Sequence, residues 1–108
     1  ETIELWYESS NPHYGRYNRS FKRNELNMPD NMGLSPWGDL IICEDNSDLN
    51  RLWGISKTGR PYIIAENSHS GSEFAGVCFS PSGKTMFVNL QSNGQTFAIT
   101  GNWETVYI

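Results

Sequence analysis

Carboxylates flank the short apolar runs of this chain. Asp30 and Asn31 stand just before the stretch Met32-Gly33-Leu34, and Glu44, Asp45 and Asp48 follow Leu40-Ile41-Ile42-Cys43. Glu73 comes directly before Phe74. Acids gathered in one place repel each other unless a cation neutralises them. Hard cations such as Ca²⁺ take six to eight oxygens from Asp, Glu, Asn and carbonyl groups. The spacing here fits no EF-hand loop. Asp and Asn are natural turn formers, which accounts for Asp45 and Asp48 as turn residues. Glu is a poor turn former, and Glu44 and Glu73 each abut a buried strand. These two are therefore the expected metal ligands, with Asp30 or Asn31 as lesser partners. The sequence has no G-x-S-x-G elbow and no P-loop, His13 and His69 lie in loops, and Ser72 has no evident base partner. Acids without a nucleophile and base favour metal-assisted chemistry over a covalent triad.

The elements that must position these acids are short strands. Ser35-Pro36-Trp37-Gly38 is a turn: Pro presets φ at its second position and Gly accepts a positive φ at its fourth. Leu40-Ile41-Ile42-Cys43 is too short for a helix and reads as a buried strand. The design recurs: Ser80-Pro81-x-Gly83 repeats the turn at an offset of 45 residues. Leu52-Trp53-Gly54-Ile55-Ser56 then matches Thr96-Phe97-Ala98-Ile99-Thr100 at an offset of 44. A period of about 40–45 residues with several strands per unit marks β-propeller blades. The fold class expected is all-β: a β-propeller fragment of about two four-stranded antiparallel blades plus one extra strand. Strands are expected over residues 32–34, 40–43, 51–55 and 61–65, then 75–79, 85–89, 96–99 and 104–108. Residues 1–8 form the outer strand of a preceding blade, 9–27 a loop, 28–67 one blade and 68–108 the next.

A meander sorts its loops between two rims. The two S-P-x-G turns share one rim with the turns after the third strands. The loops after the second strands, and the connections between blades, share the other. Asp30, Asn31, Glu44, Asp45, Asp48, Glu66, His69 and Glu73 therefore all fall on one rim. Function concentrates on loops held by a rigid scaffold.

Composition sets the bounds. The 108 residues suffice for one modest domain. No apolar run approaches the ~18 residues of a membrane span, and no signal peptide is visible. The strand-like opening suggests a fragment boundary. The net charge of −4 disfavours nucleic acid. Arg16, Arg19, Lys22 and Arg23, interleaved with Tyr14, Tyr17 and Phe21, could build a phosphate or nucleic-acid surface. A solvated loop with a short helix near residues 17–24 is the preferred reading. Cys43 and Cys78 are expected as free thiols within strands.

Three stretches carry a family resemblance: PDNMGLSPWGDLIICED, NRLWGISKTGR and SEFAGVCFSPSGKTMFVNLQSNGQTFAITGNW. Spanning roughly residues 30–103, they resemble the C-terminal part of the PhoX-type alkaline phosphatases. The resemblance implies a six-bladed propeller, exported to the periplasm or cell surface, that hydrolyses phosphate monoesters with iron and calcium ions in its axial channel. It matches Glu44 and Glu73 to metal ligands, Asp30-Asn31 less closely, and makes Ca and Fe the expected cofactors. The pattern PDN-x-x-x-SPxGDL-x-x-x-ED is also similar to the gluconolactonase and regucalcin-like propellers, where one Ca²⁺ serves lactone hydrolysis. A non-catalytic propeller repeat is the third reading. Two blades alone leave sheet faces and edges uncovered, so the isolated chain is expected to self-associate and to turn over little substrate.

Overall fold

A computed structural model describes residues 1–7, 25–47 and 49–103. Among these residues, seven strands form two antiparallel sheets. The first is a meander of β1 (Pro29–Leu34), β2 (Leu40–Glu44), β3 (Arg51–Ile55) and β4 (Pro61–Glu66). The second comprises β5 (Phe74–Phe79), β6 (Thr85–Leu90) and β7 (Gln95–Thr100), paired in that order. Among the described residues, strands that follow each other in sequence within a sheet are also neighbours in space, as expected where turn-rich linkers of a few residues join them. The arrangement is consistent with part of a β-propeller. Among the described residues no helix is long and apolar enough to cross a membrane.

The two S-P-x-G hairpins close in the same way. Gly38 N–H donates to the Ser35 carbonyl at 3.0 Å, and Gly83 N–H donates to that of Ser80 at 2.8 Å. Both glycines take positive φ, 90° and 73°, which a side chain would oppose. The second hairpin is one residue longer: Ser35 N–H reaches the Asp39 carbonyl, whereas Ser80 N–H reaches that of Thr85.

Side chains alternate across each strand, so successive residues face opposite ways. From the first sheet, Ile41, Cys43 and Leu52 point at the second sheet. They meet Phe74, Val77, Met86, Val88 and Leu90 in one buried cluster. The other face of β2 and β3 presents Ile42, Trp53 and Ile55, which pack with Leu26 in a second cluster. β1 crosses β5 at Gly33, where a Cβ would sit 2.8 Å from the Val77 carbonyl oxygen. A glycine there lets the backbones of the two sheets approach.

The N-terminal segment differs from expectation. Residues 1–7 form no strand. Ile3 and Leu5 are exposed, so the alternation with Tyr7 does not mark a half-buried face. Tyr7 alone of the three packs, against the Leu26–Ile42–Trp53–Ile55 cluster. The segment thus lies along a sheet face, beside the side chains of Leu26, Ile42 and Ile55. The fourth strand expected in the second unit, the helix expected near residues 17–24 and most of the basic loop lie outside the described residues. Cys43 is a buried free thiol and Cys78 an exposed one.

Candidate metal centre

Three segments bring acids together at one rim. β1 supplies Asp30, the loop after β2 supplies Asp45, and the residue before β5 supplies Glu73. One carboxylate oxygen from each lies within 4.8 Å of the others. Asp30 sits at an irregularity in the ladder: Pro29 pairs with Glu44 and Asn31 with Cys43, leaving Asp30 as an extra residue. A bulge of this kind re-aims a side chain. Just before it, Met28 holds a positive φ of 49° and its carbonyl accepts from Asp45 N–H at 2.9 Å. That bond ties the Asp45 loop to the lead-in of β1. Glu73 is anchored through its carbonyl, which accepts from Gln91 N–H at 3.1 Å.

The electrostatics of the cluster are unfavourable without a cation. Partial burial of Glu73 raises its carboxyl above the usual range, and the negative charges of Asp45 and Asp30 raise it further. Beneath the acids lies Cys43. Its burial, opposed by a bond to the Val77 backbone and aided by the charges of Asp30 and Glu73, pushes its thiol up to about 11. The thiol is therefore protonated at neutral pH.

The structure does not bring Glu44 to these acids. Its carboxylate is buried against Arg51. Oε2 accepts from Arg51 Nε at 2.8 Å and Oε1 from Nη2 at 2.9 Å, a bidentate pair with both side chains 0% exposed. Glu44 Oε1 also accepts from Asn27 N–H at 2.8 Å, and Arg51 Nη2 donates to the Glu25 carbonyl at 2.7 Å. The guanidinium lies 4.6 Å from the centroid of the Trp53 ring. Glu44 and Arg51 together hold residues 25–27, the approach to Asp30. Asn31 is exposed beside the cluster, and its Oδ1 accepts from Gly76 N–H at 3.1 Å, joining β1 to β5. His69 is exposed in the same inter-sheet loop as Glu73, and Asp48 lies outside the described residues.

Sequence reasoning placed Asp45 among the turn residues and passed over Arg51. The alternation carried the missing signal. Cys43 and Asp45 fall on the same side of the chain, and Glu44 on the side of Ile42, Arg51 and Trp53.

A profile of the alkaline phosphatase PhoX family matches residues 1–94. The chain belongs to this family. The matched region contains Asp30, Glu44, Asp45, Arg51 and Glu73, and it stops before Thr96-Phe97-Ala98-Ile99-Thr100. Comparisons with curated proteins and with solved structures give no match. PhoX enzymes are metal-dependent phosphatases, and the donor set of this chain fits a metal. Three carboxylates from separate segments converge, and their mutual repulsion is of the kind a cation relieves. All three donors are hard oxygens, which suit Ca²⁺, Mg²⁺ or a hard iron ion.

Proposed function

We propose that this chain forms part of a metal-dependent phosphatase acting on phosphate monoesters, and that it holds a cation at its acidic rim. Asp30, Asp45 and Glu73 are the ligands it contributes, and calcium and iron are the metals the family resemblance implies. Glu44 acts one step back: paired with Arg51, it fixes the segment that leads into Asp30. The carrying observation is the meeting of three carboxylates from three segments at one rim of a PhoX-family chain. A cation held by Asp30, Asp45 and Glu73 would supply Lewis-acid polarisation of a phosphoryl oxygen and would lower the pKa of a bound water. The residues of this chain would supply charge and fixed geometry for it. The exported location of PhoX-type enzymes fits this reading and is proposed with it.

The test is a pair of measurements. Calorimetric titration of the chain with CaCl₂ should show saturable binding that Glu73→Gln and Asp45→Asn each weaken. In a complete PhoX enzyme carrying this segment, Glu73→Gln should abolish hydrolysis of p-nitrophenyl phosphate while the circular dichroism spectrum stays the same. Normal turnover in that variant would remove Glu73 from the site.

Apolar surface on both sheets supports self-association. An apolar groove of about 430 Å³ lies between the N-terminal segment and the first sheet, lined by Trp6, Tyr7, Leu26, Met32, Ile42 and Ile55 among others. Phe87 and Phe97 are partly exposed on the second sheet. Sedimentation at micromolar concentration should show species larger than one chain; a single monomeric boundary would count against it.

A further inference from the structure

Asp45 and Glu73 carry like charges on two different loops, so something must hold those loops together. Asn50, the last residue before β3, is 0% exposed and sits between them. Its Nδ2 donates to the Asn46 carbonyl and to the Gly71 carbonyl, both at 3.0 Å. Its Oδ1 accepts from Asn46 N–H at 2.6 Å. Asn46 is the neighbour of Asp45, and Gly71 lies two residues before Glu73. The main chain of Asn50 adds a further link, its carbonyl accepting from Asn67 N–H at 2.9 Å. Only a carboxamide offers two donors and an acceptor at this reach; a carboxylate in its place would face both carbonyls with no donor.

We propose that Asn50 is a positioning residue for the cation site, its buried carboxamide clamping the Asp45 loop to the Glu73 loop. The inference rests on the reading of Asp30, Asp45 and Glu73 as cation ligands. Loss of a residue just behind a ligand set typically weakens metal affinity about ten- to a hundredfold. Asn50 acts through the spacing of two acids and touches no cation itself.

Calcium titration of the 108-residue chain tests this. Asn50→Ala should weaken Ca²⁺ binding by about ten- to a hundredfold, in a buffer where its circular dichroism spectrum remains that of the folded chain. Ser35→Ala is the control. Ser35 Oγ accepts from Asp39 N–H at 2.9 Å at the opposite rim, so its loss should lower thermal stability and leave Ca²⁺ affinity alone. Unchanged affinity in folded Asn50→Ala overturns the proposal and leaves Asn50 a structural residue only. If that variant does not fold, amide exchange in the unaltered chain decides. Ca²⁺ should slow exchange of the Asn46 N–H held by Asn50, and unchanged exchange at saturating Ca²⁺ overturns the proposal. Absence of Ca²⁺ binding to the unaltered chain overturns the cation reading itself, and the role of Asn50 falls with it.

Discussion

Glu44 and Glu73 stand on the same rim, each beside a strand, in opposite surroundings. Glu44 is fully buried with a guanidinium bonded to both of its oxygens. Glu73 is half-buried, and its nearest charged groups are two more acids. One carboxylate has its counter-charge built in from β3. The other sits beside the like charges of Asp45 and Asp30. The difference separates a carboxylate that holds the fold together from one that is available to an ion. Chain position does not make the distinction; the side of the strand does.

The largest expected effect comes from breaking the Glu44 niche. Arg51→Leu leaves a buried carboxylate without its partner, which costs on the order of 3–5 kcal/mol. Urea unfolding should show it as a lower midpoint. The double variant Glu44→Leu/Arg51→Leu should recover much of that loss, because a buried pair can be replaced by apolar groups at little net cost. A double variant no more stable than Arg51→Leu would mean that the pair does more than satisfy itself.

Next in size is the response of the Glu73 niche to a cation. Calcium at a hundredfold excess over its dissociation constant should raise the unfolding free energy by roughly 2.7 kcal/mol. Asp30→Asn, Asp45→Asn and Glu73→Gln should each reduce that gain. Equal gains in all three variants would place the ion elsewhere.

The smallest effect is that of pH without metal. The Glu73 carboxyl titrates above its usual value of 4.5 in the folded chain. The folded state therefore binds this proton more tightly than the unfolded state does. Ionising Glu73 costs stability, and that cost is absent below pH 4.5 and complete once pH exceeds the raised folded value. Glu73→Gln should accordingly stabilise the metal-free chain slightly at pH 7 and leave it unchanged at pH 4, as thermal melts at the two pH values would show. A destabilised variant at pH 7 would mean that Glu73 makes a favourable contact that outweighs the repulsion.

Much of the scaffold was legible in the sequence because its strands are short apolar runs bounded by turn residues. Leu40-Ile41-Ile42-Cys43 and Met86-Phe87-Val88 announce themselves, and both S-P-x-G turns set the hairpins. The rim followed from the meander. Residues 2–7 misled because alternation records only that a strand could form. Ile3 is 104% exposed, and no edge pairs with the segment. In the candidate site, Glu73 and Asp30 stand out in the sequence as acids beside strands. Asp45 does not, because Asp in a loop is ordinarily a turn former. Asn46 and Asn50 were hidden for the same reason, although their amides bond across the loops. Arg51 opens an apolar strand, and only the pleat shows that it shares a side with Glu44.

The position of Cys43 makes the joint between the two sheets into a clock. Its sulfur lies buried in their shared core and stays protonated at neutral pH, whereas Cys78 on β5 is open to solvent. A thiol reagent should therefore label Cys78 at once and Cys43 only when the sheets part. The slow phase then times the opening of the joint. Because Asp30 and Glu73 come from opposite sides of that joint, an ion bound between them should lengthen the slow phase and leave the fast one alone.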